Sequence, residues 1–152
     1  MSEIVIDASL SLQWFLEDEA DRGYSLAVLE RLSIDRAVVP PLWFYEVGNG
    51  LTMAVRRKRI TDEQATEYLA RVRGLPIAVD PLDPAVILSL PRIAQKYQLT
   101  NYDAAYLEVA FRRKLPLATT DGALISAAKK AGVALIEVTE SRSRPPRGSK
   151  DL

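Results

Sequence analysis

The sequence alternates between short runs rich in β-branched residues and longer stretches with the apolar spacing of helices. This alternation is typical of an α/β domain with a mainly parallel sheet. It predicts five strands, with the ranges Glu3–Asp7, Arg36–Val39, Ile77–Val79, Pro116–Thr119 and Leu135–Val138. It also predicts seven helices, with the ranges Ser9–Leu16, Ala20–Leu32, Leu42–Arg57, Asp62–Val72, Pro84–Tyr97, Tyr102–Arg113 and Gly122–Ala131.

Local signals support several of these helix boundaries. Thr61, with Gln64 three residues later, is typical of a helix N-cap. Asp83 directly precedes Pro84, which suits a cap followed by a proline at the first helical position. Pro91 lies inside a helical pattern, and we expect it to kink or split that helix.

The length of 152 residues fits a single domain with a substantial core. We predict that residues 1–140 form this domain and that residues 141–152, which are polar, basic and rich in Pro and Ser, form a mobile basic tail. The first residues include acids where a signal peptide needs positive charge, and no apolar run reaches the length of a membrane span. A cytoplasmic location is therefore expected.

The chain contains no histidine and no cysteine. This excludes Ser-His-Asp and Cys-His nucleophiles, histidine-based ribonuclease chemistry and almost all zinc hydrolase sites. Any hydrolysis must rest on carboxylates, together with a hard cation that prefers oxygen ligands. The formal net charge is zero, so any attraction of nucleic acid must come from local basic patches.

Three aspartates occupy positions that helix capping alone can explain. Asp7 follows the first predicted strand, Asp121 follows the fourth, and Asp103 opens a helix. Taken singly, each is best interpreted as a cap or as a charge that suits the helix dipole. Strand-end carboxylates of a parallel sheet can nevertheless meet in one crevice. Thr119 would face the same side as Asp121, where it could orient a carboxylate or a water molecule.

Glu46 has no such explanation, because it lies several residues beyond the start of its helix. The helical period places it on one stripe with Leu42, Asn49 and Met53. A carboxylate on a half-buried stripe costs free energy unless a cation or hydrogen-bond donors meet it. Asn49, one turn further on, is a candidate partner, although an exposed amide is the ordinary interpretation.

Four segments, in the order IVIDAS, PLWFYEVGNGL, LTNYDAAYLEVA and PLATTDGAL, together resemble the PIN-domain nucleases and, within them, the VapC toxins of toxin–antitoxin pairs. The resemblance runs from about Ile4 to Val138. It places the family's acidic residues on Asp7, Glu46, Asp103 and Asp121, its helix asparagine on Asn49 and its threonine on Thr119.

The resemblance implies a three-layer α/β/α domain with a central five-stranded parallel sheet. It also implies a metal-dependent endoribonuclease with Mg²⁺ or Mn²⁺ as cofactor, RNA as substrate, a homodimer, and a small antitoxin that blocks the site. The first three acids would mainly bind metal, Asp121 would bind metal or orient the water, and Thr119 and Asn49 would support them.

RNA contact is expected from basic clusters at helix ends, at 56–59 and 112–114, and from the basic tail, unless these are only solvated charges. Five aromatic residues are expected mostly in the core, with some at a dimer or antitoxin surface: Trp14, Phe15, Trp43, Phe44 and Tyr45.

Two other functions stay open at this point. The first is a PIN-like domain that keeps its fold but serves only as an RNA- or protein-binding module. The second, less favoured, is a receiver-like phosphoacceptor domain. Such a domain needs a pair of acids after its first strand and a lysine near its last, whereas Asp7 has no acidic neighbour and the fifth predicted strand contains no lysine.

Overall fold

The computed structural model of the chain describes residues 1–138. The predicted end of the domain at residue 140 and the predicted tail at 141–152 lie outside the described residues. No helix within residues 1–138 is long and apolar enough to cross a membrane.

A parallel sheet of four strands forms the centre of the fold. The strands are β1 (Glu3–Ile6), β2 (Arg36–Val39), β3 (Ile77–Val79) and β4 (Leu117–Ala118). Their order across the sheet is β3-β2-β1-β4, and every neighbouring pair is parallel. Ile4, Val5 and Ile6 are all fully buried. Because successive side chains of a strand point to opposite faces, β1 is covered on both of its faces, as in an α/β/α sandwich.

The fifth predicted strand, Leu135–Val138, is not part of this sheet, so the prediction of five strands was wrong. Leu135 makes a single isolated parallel bridge to Leu117. The Leu117 amide donates to the carbonyl of Ala134, and the Ile136 amide donates to the carbonyl of Leu117. Because β4 has only two residues, it offers too little edge for a longer ladder on this side.

Seven helices surround the sheet in the part of the chain that is described. They are α1 (Ala8–Leu12), α2 (Gly23–Arg31), α3 (Leu42–Arg56), α4 (Asp62–Arg73), α5 (Pro84–Tyr97), α6 (Asn101–Arg113) and α7 (Gly122–Ala131). Helices α1, α3 and α4 pack together in one group, and α5, α6 and α7 in another, with α6 against β1 and β4. All seven predicted helices exist, and those over 84–97 and 122–131 have the predicted bounds.

The first two helices are shorter than predicted. Helix α1 ends at Leu12, and the following amides bond to carbonyls three residues back, which tightens the last turn. The carbonyls of Gln13 and Trp14 accept from the side chain of Arg22. Helix α2 begins only after Asp21, whose φ of 57° is incompatible with a right-handed helix.

The predicted caps are confirmed, and α5 is not split at Pro91, one of the two effects expected of that proline. Thr61 and Gln64 form a reciprocal capping box, and the Asp83 side chain caps α5. Helix α5 is assigned as one unbroken helix through Pro91. Proline removes one amide donor at this point, but Pro91 lies on the exposed side of α5. Leu90 and Ala94 keep the helix packed in a small core with α6.

A chain of hydrogen bonds fixes α3 relative to the end of β1. The buried Trp43 donates from its indole nitrogen to Ser11 Oγ at 3.0 Å, and Ser11 Oγ donates to the backbone carbonyl of Asp7 at 2.8 Å. Gly50 also faces α1, and a Cβ there would overlap the Leu12 side chain unless that side chain moved. The first two turns of α3 are thereby held beside the carboxyl end of β1.

Candidate active site at the carboxyl edge of the sheet

The strand order creates a crevice between β1 and β4. The chain moves from β1 to β2 and β3 on one side, and then crosses to place β4 on the other side of β1. Such a point of reversal, at the carboxyl ends of the strands, is where open α/β sheets bind ligands. Asp7 directly follows β1, and Asp121 follows β4 by three residues.

Asp7 is a buried carboxylate that accepts hydrogen bonds from three donors. Its Oδ1 accepts from the Leu10 amide at 2.9 Å, so it caps α1, as the simplest interpretation of the sequence expected. Its Oδ2 accepts from the hydroxyls of Ser9 and Thr119. Only 3% of the residue is exposed, and burial raises the pKa of the Asp7 carboxyl from 3.8 to about 6 despite these donors. A surface cap has no reason to be buried in this way.

Thr119 connects the two strand-end acids. Its hydroxyl donates to Asp7 and accepts from the backbone amide of Asp121 at 3.0 Å. The Asp121 carboxylate itself caps α7 through the Leu124 amide at 2.9 Å. The Thr119 hydroxyl therefore lies in direct contact with the Asp7 carboxylate, where the sequence analysis expected it to act.

Asp103 is not the N-cap of α6, because Thr100 fills that position and accepts from the Asp103 amide at 3.1 Å. Asp103 lies in the first turn and is partly buried. Burial raises the pKa of the Asp103 carboxyl, and the charges of Asp121 and Glu46 raise it further. The charge of Asp103 in turn contributes to the raised pKa of Asp7. Asp103 on α6 is therefore coupled by charge to the other three acids.

Glu46 reaches this cluster from the second turn of α3. Its Oε1 accepts a hydrogen bond of 2.6 Å from the hydroxyl of Tyr106 on α6. Burial raises the pKa of Tyr106 above its usual value, and the bond to Glu46 and the charges of Glu46 and Asp7 add to this effect. Sequence reasoning missed Tyr106, although its spacing of three residues from Asp103 places both on one face of α6.

Asn49 is not brought into contact with the acids. It is exposed, and within residues 1–138 no hydrogen bond joins it to another site residue. It lines an open cleft of about 440 Å³ beside Glu46, together with Ser9, Tyr45 and Tyr102. The proposed supporting role of Asn49 therefore rests on its place in this cleft alone.

The site carboxylates fit a hard divalent cation in their chemistry. All four candidate ligands supply oxygen atoms, which Mg²⁺ and Mn²⁺ prefer. Within residues 1–138, however, no group of three or more acidic side chains is already close enough together to hold an ion.

Several basic residues predicted to contact RNA are already paired with acids. Arg59 bonds to Asp18 and Glu19, and Arg112 and Arg113 both bond to the buried carboxylate of Asp80. These arginines stabilise the fold locally. The exposed cations at the end of α3 are Arg56, Arg57 and Lys58.

Comparison with known proteins identifies the family. The PIN domain profile matches residues 4–130. Ribonuclease VapC1 of Mycobacterium tuberculosis is 34% identical over 133 residues, which cover 84% of this chain and 92% of the relative. The structure of PAE2754 from Pyrobaculum aerophilum has a TM-score of 0.62 at 28% identity, with 83% of this chain and 84% of that chain covered.

A toxin–antitoxin complex from Klebsiella pneumoniae shares the fold at a TM-score of 0.56 and 16% identity, with 78% of this chain and 86% of that chain covered. The fold and the site thus define an α/β domain with acidic residues at the switch point of a parallel sheet. The chain belongs to the PIN-domain family.

The buried charge of Asp7 generates a prediction for the metal-free protein. Because the pKa of Asp7 is higher in the folded protein than in the unfolded chain, protonation of Asp7 stabilises the fold. This stabilisation is complete below pH 3.8 and is lost as the pH rises through about 6. One pKa unit is worth about 1.4 kcal/mol, so the loss is roughly 3 kcal/mol. Asp7→Asn keeps an oxygen for the α1 cap but cannot ionise, and it should avoid this loss.

Urea unfolding of wild type and Asp7→Asn in EDTA across this pH range measures the difference. Asp21→Asn, which neutralises an exposed acid, serves as the control and should track wild type. Parallel stability curves for wild type and Asp7→Asn would show that the buried charge has no such cost.

Proposed function

We propose that this chain is a Mg²⁺- or Mn²⁺-dependent endoribonuclease and the toxin of a VapBC-type toxin–antitoxin system. The observation that carries the proposal is the geometry at the switch point of a PIN fold: Thr119 joins the buried Asp7 to the loop that carries Asp121, and Glu46 bonds to Tyr106, three residues after Asp103. The 34% identity to ribonuclease VapC1 over most of both chains supports RNA as the substrate.

The four acids are held by different parts of the fold, but we assign them one role, the binding of the cation. Asp7, Glu46, Asp103 and Asp121 would hold the cation, with Thr119 orienting Asp7. A bound divalent ion lowers the pKa of a water molecule towards neutrality and balances the charge that develops on the phosphate. Since the chain has no histidine, its own side chains offer only carboxylates as proton acceptors in this site.

RNA reaches the acids through the cleft beside Glu46. The exposed cations Arg56, Arg57 and Lys58 lie at the far end of α3 and directly after it, where they can contact phosphates outside the reacting bond. Because Arg59 and Arg112 are engaged by acids, we assign them no part in RNA binding. The cytoplasmic location expected from the sequence stays a prediction.

The central prediction concerns cleavage and its dependence on metal. With Mg²⁺ or Mn²⁺ the purified protein should cleave RNA to 5′-phosphate and 3′-hydroxyl ends, because water rather than the ribose 2′-hydroxyl attacks. EDTA should abolish cleavage. Asp103→Asn should lower the rate by more than about 100-fold, beyond the usual effect of residues that only support a ligand, and should remove most of the thermal stabilisation by Mg²⁺.

Glu63→Gln is the matched control, since it neutralises an exposed acid in the first turn of α4. It should leave the cleavage rate and the Mg²⁺ response unchanged. Cleavage that survives thorough chelation would contradict the metal mechanism. A folded wild-type protein that binds RNA but cleaves none with either metal would instead support the binding-module alternative.

The antitoxin partner is proposed from the resemblance to VapC toxins and the identity to VapC1. A nuclease toxin without its antitoxin should arrest growth when it is expressed in bacteria. Asp103→Asn should relieve the arrest, because it disables the site while Thr100 still caps α6. Growth curves at protein levels matched by immunoblot test this, and equal growth of wild type and variant would contradict the toxin role.

The homodimer is proposed from an exposed apolar surface that we call the α5 face. It surrounds a groove of about 340 Å³ lined in part by Tyr45, Leu82, Ile87 and Tyr102. Leu82 is 65% exposed and Tyr45 77% exposed, and apolar clusters of this kind mark protein interfaces. Tyr45 and Tyr102 also line the cleft beside Glu46, so a second copy here would border the site.

Light scattering should give a mass of about 34 kDa, twice that of the 16.9 kDa chain. Leu82→Glu places a charge in the α5 face and should yield the monomer. Ile34→Glu, at an exposed position before the amino end of β2, should remain dimeric. A wild-type monomer, or a Leu82→Glu dimer, would reject this interface.

A further inference from the structure

Glu46 is held differently from the other three acids. Asp7 and Asp121 are fixed by amides of the helices they cap, and Asp103 has a short side chain in a first turn. Glu46 has a longer side chain in the second turn of α3, where no free backbone amide is available. Among residues 1–138, its one hydrogen bond comes from Tyr106.

Tyr106 is well placed to fix that carboxylate. The residue is 1% exposed, so its ring is held by the core. It lies on α6 three residues after Asp103, and its hydroxyl meets Glu46 Oε1 at 2.6 Å although the two residues are 60 positions apart in the chain. The bond joins α6, which carries one site acid, to α3, which carries another. It leaves Oε2 without a hydrogen-bond partner in the described part of the chain.

A buried tyrosine hydroxyl needs an acceptor in any case, so the choice of acceptor is the informative fact. Tyr24 donates to the backbone carbonyl of Ile136, and Trp14 donates to that of Ser25. Those bonds satisfy a polar atom and tie the fold together. Tyr106 donates instead to an ionisable side chain that the fold could have left to solvent.

We propose that Tyr106 is a positioning residue, whose hydroxyl occupies one oxygen of Glu46 and fixes its carboxylate for a divalent cation. This inference rests on the proposed function, since it assumes that Glu46 is a ligand. Groups that orient metal ligands in this way usually contribute about 10- to 100-fold to metal affinity or activity.

Tyr106→Phe tests the inference because it removes only the hydroxyl. The dissociation constant of Mn²⁺, measured by electron paramagnetic resonance of the free ion, should rise by about 10- to 100-fold. RNA cleavage should fall at limiting Mn²⁺ and recover at saturating Mn²⁺. A purely structural role would lower the melting temperature and leave the Mn²⁺ dissociation constant unchanged.

Tyr68→Phe is the matched control. Tyr68, on α4, is also buried, but its ring stacks on that of Phe15. The Mn²⁺ affinity of this variant should equal that of wild type. Glu46→Asp is a second test that leaves Tyr106 intact. The shorter side chain loses the hydrogen bond from the Tyr106 hydroxyl, so Mn²⁺ affinity should fall comparably.

Wild-type Mn²⁺ affinity in folded Tyr106→Phe or in Glu46→Asp would overturn the inference. A wild-type protein that binds Mn²⁺ but cleaves no RNA would sink the proposed function, while the comparison of affinities would still decide the role of Tyr106. A wild-type protein that binds no Mn²⁺ would overturn both.

Discussion

The burial of a charged carboxylate at the end of β1 is the constraint on which the site depends. Asp7 is covered because β1 lies in the middle of the sheet, with β2 on one side and β4 on the other. Two hydroxyls and an amide donate to it, and still its pKa is raised to about 6 by burial. A protein under selection for stability alone would place an apolar side chain here.

The surrounding elements are arranged around that carboxylate. Thr119 connects it to the loop that carries Asp121, and the bonds through Ser11 and Trp43 place α3, with Glu46, beside it. Helix α6 packs against β1 and β4 and brings Asp103 to the same edge. The acids thus come from four separate segments of the chain. Burial raises the pKa of Asp103, and the charges of Asp121 and Glu46 raise it further.

Much of this arrangement could be predicted from the sequence because it follows from local rules. Alternating strands and helices predicted the parallel α/β fold, and acids at the strand ends of such a sheet can meet at one edge of it. The fifth strand could not be excluded, because its failure depends on the two-residue length of β4. Hydrogen bonds between side chains far apart in the chain could not be predicted from the sequence either. The bond from Tyr106 to Glu46 and the capture of Arg112 and Arg113 by Asp80 join residues 32 to 60 positions apart, which no local pattern reveals.

We propose that Asp7, Glu46, Asp103 and Asp121 form one divalent-cation site. Anomalous diffraction from crystals soaked in Mn²⁺ measures this most directly, because the signal locates the ion independently of any assay. We predict a Mn²⁺ peak at the crevice between β1 and β4, coordinated by carboxylate oxygens of Asp7 and of at least one acid from α3, α6 or the loop after β4. The absence of a peak there at saturating Mn²⁺, or a peak bound only by acids elsewhere on the surface, would contradict it.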